Sequence, residues 1–187
     1  MSQIDINVVH ETTPNPQSMK FVVNRQISEE TANFTTAQET FRSPLANKIF
    51  GFPWTDGIFI GKDYVTVTKQ NWVEWDVLAE PLAGLIKEHL DSGLAVLQPA
   101  PQVTAGNDAT TDSPIVRKIK KVLDEEIRPS VALDGGDIVF SRYENNIVYI
   151  FMQGACSGCP SSTYTLKMGI ETRLREAIPE IKEVVSL

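Results

Sequence analysis

Cysteine is scarce in this chain: 187 residues hold two, Cys156 and Cys159, in the run Gly154-Ala155-Cys156-Ser157-Gly158-Cys159-Pro160. That scarcity excludes a disulfide scaffold, which needs several pairs in a short chain. Bridging the two cysteines to each other would close so short a loop that chain entropy gives about 2 kcal/mol before strain is subtracted. Long apolar runs are also missing, and nothing approaches the roughly 18 to 20 consecutive apolar residues of a membrane helix. The first 20 residues show neither a basic start with an apolar core nor an Arg-rich amphipathic presequence. The expected location is therefore cytoplasmic, with the mitochondrial matrix open to a chain from which a presequence has been removed. A concentrated basic face is absent too. The net charge is −7, and the cluster Arg117, Lys118, Lys120 and Lys121 is followed at once by Asp124, Glu125 and Glu126. This is a solvated helix face, so neither a nucleic acid nor a membrane is expected as a partner. Histidine is limited to His10 and His89, far apart in sequence, and both read as structural or solvated rather than as ligands.

What is present suffices for two modest cores. Hydrophobic residues make up 42% and charged residues 22%, the proportions of a soluble globular chain rather than a disordered one. Residues 98–112 are polar, rich in Pro, Thr and Asp, and lack apolar periodicity, so they read as a linker. This divides the chain into domains over 1–97 and 113–187. The acidity lies mainly in the first, which carries −5 against −2 for residues 98–187.

In the first half, residues 4–13 read as extended, Pro14-Asn15-Pro16 as a turn and residues 19–23 as a strand. Ser43 is placed to cap a short helix with Pro44 at its first position. Residues 57–61 and 64–68 form two strands joined by Lys62-Asp63. A long helix follows, with Leu78, Leu82, Leu85, Ile86 and Leu90 on one face, Pro81 in its first turn and Gly93 as its stop. Trp54, Trp72 and Trp75, with Phe50, Phe52 and Phe59, fit core packing better than a docking surface. Beyond the linker, a helix runs from Ser113-Pro114 up to Pro129, and residues 138–143 and 147–152 form a hairpin around Glu144-Asn145-Asn146. Ser161 or Ser162 caps a further helix, and residues 181–187 add a last strand. The fold class is α+β, in two small α+β domains.

The cysteines thus fall between a strand and a helix start, where unpaired amides and the helix dipole favour negative charge and hence thiolates. Small neighbours leave room for backbone amides and a bulky inorganic cluster to approach the sulfurs. Zinc and iron-sulfur sites take four protein ligands, and this chain supplies two. A cluster bridged between two chains, zinc held by four thiolates from two chains, and thiol-disulfide exchange all remain open to the residues. Asp134-Gly135-Gly136-Asp137 reads as a turn and is left outside the site.

Leu133-Asp134-Gly135-Gly136-Asp137, residues 152–162 around the cysteines and Thr165-Leu166-Lys167-Met168-Gly169-Ile170-Glu171 strongly resemble the NifU-like C-terminal domain of iron-sulfur scaffold proteins. Thr13-Pro14-Asn15-Pro16, Met19-Lys20-Phe21 and Phe41-Arg42-Ser43-Pro44-Leu45-Ala46 resemble the N-terminal domain that accompanies it in Nfu-type proteins. The aromatic turn Phe52-Pro53-Trp54-Thr55-Asp56-Gly57 departs from that pattern. The resemblance implies a non-enzymatic carrier holding a 4Fe-4S cluster between two protomers, with Cys156 and Cys159 of each as ligands and a 2Fe-2S cluster left open. It implies a homodimer when loaded, an upstream iron-sulfur assembly scaffold as donor and apo iron-sulfur clients as acceptors. The alternative is a thiol-disulfide oxidoreductase using the same cysteine pair.

Overall fold

The structure, a computed structural model, describes residues 5–99, 112–157 and 160–187, with the side chains of 160–163 excepted. The chain divides into two compact units, Met1–Ala100 and Pro101–Leu187. Most of the segment read as a linker, residues 100–111, lies outside the described residues. Among the described residues no helix is long and apolar enough to cross a membrane.

The first unit is built on five antiparallel strands: β1 (Val8–Thr12), β2 (Ser18–Val23), β3 (Ala32–Phe34), β4 (Thr55–Ile60) and β5 (Tyr64–Lys69), in the order β1-β2-β5-β4-β3. Alternation along the strands sends Met19, Phe21 and Val23, then Ile58 and Ile60, then Val65 and Val67 into one core. Helices α1 (Pro44–Phe50) and α2 (Trp75–Asp91) close that core with Leu45, Ile49, Leu82, Ile86 and Leu90. Ser43 does two jobs: its hydroxyl accepts the Ala46 N–H (3.0 Å), capping α1, and donates to the Val96 carbonyl (2.6 Å). The Gln98 N–H donates to the Arg42 carbonyl at 2.6 Å, so the chain after α2 is tied back onto this unit.

Two expectations need correcting here. Pro81 lies inside α2, beyond its first turn, because the helix starts at Trp75, whose indole N–H donates to the Pro16 carbonyl at 3.0 Å. The backbone bond that Pro81 cannot make would have gone to Val77, a residue 65% exposed, where water can satisfy the carbonyl. Of the tryptophans, Trp54 is buried and stacked on Phe52, and Trp75 is packed against the core, but Trp72 stands 63% exposed. Residues 32–34 and a 3-10 turn at Ala37–Arg42 are further elements that periodicity did not reveal.

The second unit has three strands, β6 (Gly136–Glu144), β7 (Ile147–Gly154) and β8 (Glu183–Ser186). β6 and β7 form an antiparallel hairpin, while β8 runs parallel to β7 after the crossover helix α5 (Pro160–Ala177). The hairpin turns on Asn145 and Asn146, both at positive φ (52° and 66°), the two-residue turn that asparagine tolerates. Val148, Ile150 and Met152 of β7 and Ile138 of β6 face Ile119, Val122, Leu123, Ile127 and Val131 from the N-terminal helix, Ile170 and Leu174 from α5, and Ile178 just past its end. Glu171 ties α5 to the last strand: its carboxylate accepts the Val184 N–H at 3.0 Å and pairs with Arg175 at 2.7 Å.

The helix expected to stop near Pro129 continues. It runs as α3 (Pro114–Val122), widens into a π-turn at Leu123–Ile127, and resumes as α4 (Arg128–Leu133). Pro129 has no N–H and its ring crowds the preceding turn, and the wider turn accommodates both without ending the helix. Its signature is the Arg128 N–H donating to the Leu123 carbonyl, five residues back. At the other end of the unit, α5 opens at Pro160, a residue suited to a first helical position, so Ser161 and Ser162 lie within the helix rather than capping it.

His89 gives the first unit a pH dependence. It is fully buried on α2, its Nε2 lies 3.1 Å from the Ala95 carbonyl oxygen, and its Nδ1 has no hydrogen-bond partner among the described residues. Burial holds its pKa below the ordinary value, with the Lys48 charge adding to the effect. As pH falls, the unfolded chain takes up the proton first, so this stability is present above about pH 6.5 and is lost below it. Urea denaturation at pH 7.5 and pH 5 should show a smaller acid loss for His89→Gln, and equal losses in the two proteins would refute the assignment.

Candidate functional site

The loop that carries the cysteines leaves β7 at Gly154, where φ is 65°, a conformation that glycine adopts without steric cost. The Ser157 N–H and hydroxyl both bond the Gly154 carbonyl (3.1 and 2.9 Å), tightening the turn on which Cys156 sits. The Ala155 N–H donates to the Gly135 carbonyl at 3.2 Å, so the loop is seated on the turn that precedes β6. Cys156 is 5% exposed and belongs to the apolar core of its unit. Cys159, the second residue expected at the site, lies outside the described residues.

The seat is a close fit. A Cβ added to Gly136 would overlap the Cys156 sulfur and stand 2.6 Å from the Gln153 carbonyl oxygen. Only a glycine leaves that volume to the sulfur. Gly136 pairs with Gly154 across the hairpin, and Asp137 pairs with Gln153, so the two strands hold the turn and the loop in register. Asp134-Gly135-Gly136-Asp137 is the turn that the sequence suggests, yet it also forms the floor under Cys156. The paired glycines are the signal for this, since turn geometry alone does not require a bare Cα at Gly136 and the Cys156 sulfur does.

Beside that floor sits an ion pair that sequence reasoning missed. The Arg128 guanidinium grips both carboxylate oxygens of Asp137, Nε to Oδ1 at 2.7 Å and Nη2 to Oδ2 at 2.6 Å, while Nη1 reaches Asp124 at 3.0 Å. The Asp137 side chain is only 7% exposed, and its Oδ1 also accepts the Ile138 N–H at 2.8 Å. The bond to Asp137 drives the Arg128 pKa further up against the opposing effect of burial. A fork of this kind is the strong form of a carboxylate pair, and it satisfies a carboxylate that burial would otherwise penalise.

The electrostatics at Cys156 run opposite to the expectation of a favoured thiolate. Burial pushes its thiol up to about 12, and the carboxylates of Asp134 and Asp137 push the same way. The reason is position: Cys156 stands on the strand side of the loop, ahead of α5, and the helix dipole acts only within its first turn. A thiol so placed is a poor nucleophile at neutral pH until a metal takes its proton. Among the described residues no group of three or more His, Cys, Asp or Glu side chains is arranged to hold a metal ion.

Comparison with known proteins accounts for both halves. Residues 8–93 match the N-terminal domain of scaffold protein Nfu/NifU, and residues 119–185 match the NifU-like domain. The human NFU1 iron-sulfur cluster scaffold homolog, mitochondrial, is 40% identical over 175 residues, covering 92% of this chain and 68% of that protein. Its counterpart in Drosophila sechellia is 39% identical, with coverage of 92% and 62%. The chain therefore spans roughly three fifths to two thirds of the length of these relatives. The solution structure of a NifU-like protein from Saccharomyces cerevisiae is 26% identical with a TM-score of 0.45, covering 52% of this chain and 88% of that one. With both halves matched in order and two fifths of its residues shared with the human protein, the chain belongs to the Nfu family of iron-sulfur cluster scaffold proteins.

Proposed function

We propose that this chain is a carrier, without catalytic turnover of its own, that holds a 4Fe-4S cluster between two copies of itself and passes it to apo iron-sulfur proteins. Cys156 and Cys159 of each copy are the four ligands. The observation that carries this reading is the ligand count: the chain has two cysteines with two residues between them, the first in a loop seated on glycines, and a cluster takes four. Family membership supplies the cargo, because the relatives are named iron-sulfur cluster scaffolds. Their mitochondrial designation supports a mitochondrial rather than a cytoplasmic location. An upstream assembly scaffold as donor and apo clients as acceptors follow from the same reading, as does division into domains over 1–97 and 113–187 around the polar segment 98–112.

Loading draws Cys156 out of its packing. Its backbone remains seated through Ala155 and Gly135 while the side chain turns outward and iron displaces the thiol proton. Shared ligation also makes release simple. Stepwise exchange would trade one iron–cysteine bond for one iron–client-thiolate bond at a time, each freed cysteine of the separating copies taking up a proton from water.

Anaerobic reconstitution with ferrous iron and sulfide should give a brown dimer containing about two irons per chain, with Mössbauer parameters of a 4Fe-4S cluster. Cys156→Ser and Cys159→Ser should each abolish it. A stably loaded monomer, or a colourless protein that cycles between dithiol and disulfide, would defeat the proposal, as would zinc bound in place of iron. A second measurement addresses the redox alternative. In apo Cys159→Ser, the rate of Cys156 alkylation by iodoacetamide should climb roughly tenfold per pH unit from pH 7 to 10 without a plateau. A plateau near neutral pH would mark an activated thiolate and favour thiol-disulfide exchange.

A further inference from the structure

The ion pair behind the cysteine loop is more than a surface contact: it is forked, largely buried on the Asp137 side, and anchored at a third point on Asp124. We propose that Arg128 is a positioning residue for the cargo, acting through Asp137 and Gly136 to hold the seat on which Cys156 presents its sulfur. This rests on the cluster-carrier reading given above.

The chain of contacts is short. Arg128 fixes the carboxylate of Asp137 by two bonds, and the same carboxylate accepts the Ile138 N–H, which fixes the backbone where β6 begins. One residue earlier, the bare Cα face of Gly136 receives the Cys156 sulfur. One residue earlier again, the Gly135 carbonyl accepts the Ala155 N–H. A shift of the β6 start would therefore move both points of support for the cysteine loop together.

The placement of Arg128 depends on the π-turn. The turn at Leu123–Ile127 adds a residue relative to α-helical winding, changing the face on which the following side chains emerge. The helix then resumes with Arg128 directed at both Asp124, one turn back, and Asp137 on the strand. Charge contributes as well as geometry. A cluster ligated by four thiolates is anionic, and a carboxylate next to one of its ligands repels it unless a cation is paired with that carboxylate. Arg128 is the cation paired with Asp137. Lysine would keep the charge but lose the fork.

The test uses the full-length chain and two readouts, one of which requires no cluster. In apo protein carrying Cys159→Ser, Arg128→Gln should speed iodoacetamide alkylation of Cys156 by about tenfold at fixed pH, as the seat loosens. In the reconstituted protein with both cysteines, Arg128→Gln should shorten the lifetime of the cluster against an iron chelator by a similar factor, with Arg128→Lys intermediate. Ile178→Ala, which removes a buried side chain just past the end of α5, serves as the stability control. If it matches Arg128→Gln in both readouts at equal loss of thermal stability, the role is merely structural and the proposal fails. If Arg128→Gln does not fold, Arg128→Lys carries the test with the same expected directions. Wild-type protein that loads normally, beside variants with unchanged alkylation and cluster lifetime, overturns this inference alone. Wild-type protein that takes up no cluster overturns the carrier reading and this inference with it, whatever the alkylation rates.

Discussion

A carboxylate held in a guanidinium fork lies behind the geometry of the cysteine loop. Asp137 is nearly buried, and an unpaired charge there would cost several kcal/mol, so the Arg128 contact is a condition of the local fold rather than an ornament on it. Around it the second unit is assembled from elements that need one another. The π-turn carries the helix through Pro129, the helix supplies Arg128, and Arg128 holds Asp137, the second residue of β6. The hairpin register then sets Gly136 opposite Gly154, and the cysteine loop leaves from that pair.

The consequence for chemistry is a thiol kept protonated and covered. Relative to a solvated cysteine, with its ordinary value near 9, a thiol pushed up to about 12 resists ionisation by ~4 kcal/mol. Iron-thiolate bonding readily exceeds that cost, whereas a passing oxidant or disulfide must meet it without such help. The same burial that disfavours thiol-disulfide exchange at Cys156 is thus compatible with a metal-dependent role. It also gives the proposed carrier reading a definite physical content: the sulfur lies against Gly136, and loading as proposed would turn it toward the cargo while the backbone stays seated on Gly135.

Much of this was legible in the sequence, for reasons that differ by element. The hairpin could be read because Asn145-Asn146 is a two-residue turn flanked by β-rich runs, and both asparagines do adopt positive φ. The first helix could be read from Ser43-Pro44, since a capping hydroxyl and a proline at the first position are local requirements. What could not be read involved partners distant in sequence or a compensation that has no pattern. Pro81 was displaced because Trp75 extends α2 backward toward Pro16, a contact across 59 residues. Pro129 did not stop its helix because a π-turn absorbed it. At the site itself, position along the chain suggested a helix dipole acting on both cysteines, but the direction in which a side chain points decides its environment. Cys156 points into the core, and desolvation outweighs the dipole.

A chain with only two cysteines and a covered Cys156 sulfur combines opposite arrangements, one asking for exposure and the other denying it, and on the carrier reading proposed above they serve the same end. A site complete within one chain and open to solvent would hold its cargo against any client and bind whatever metal arrived first. On the reading proposed above, a site completed by two copies would commit only when iron, sulfide and a second chain are present together. Without cargo, the Cys156 sulfur lies against Gly136, where no Cβ competes for the volume. For a carrier of the kind proposed, ligands divided between two chains favour delivery, because each chain alone holds only half of them.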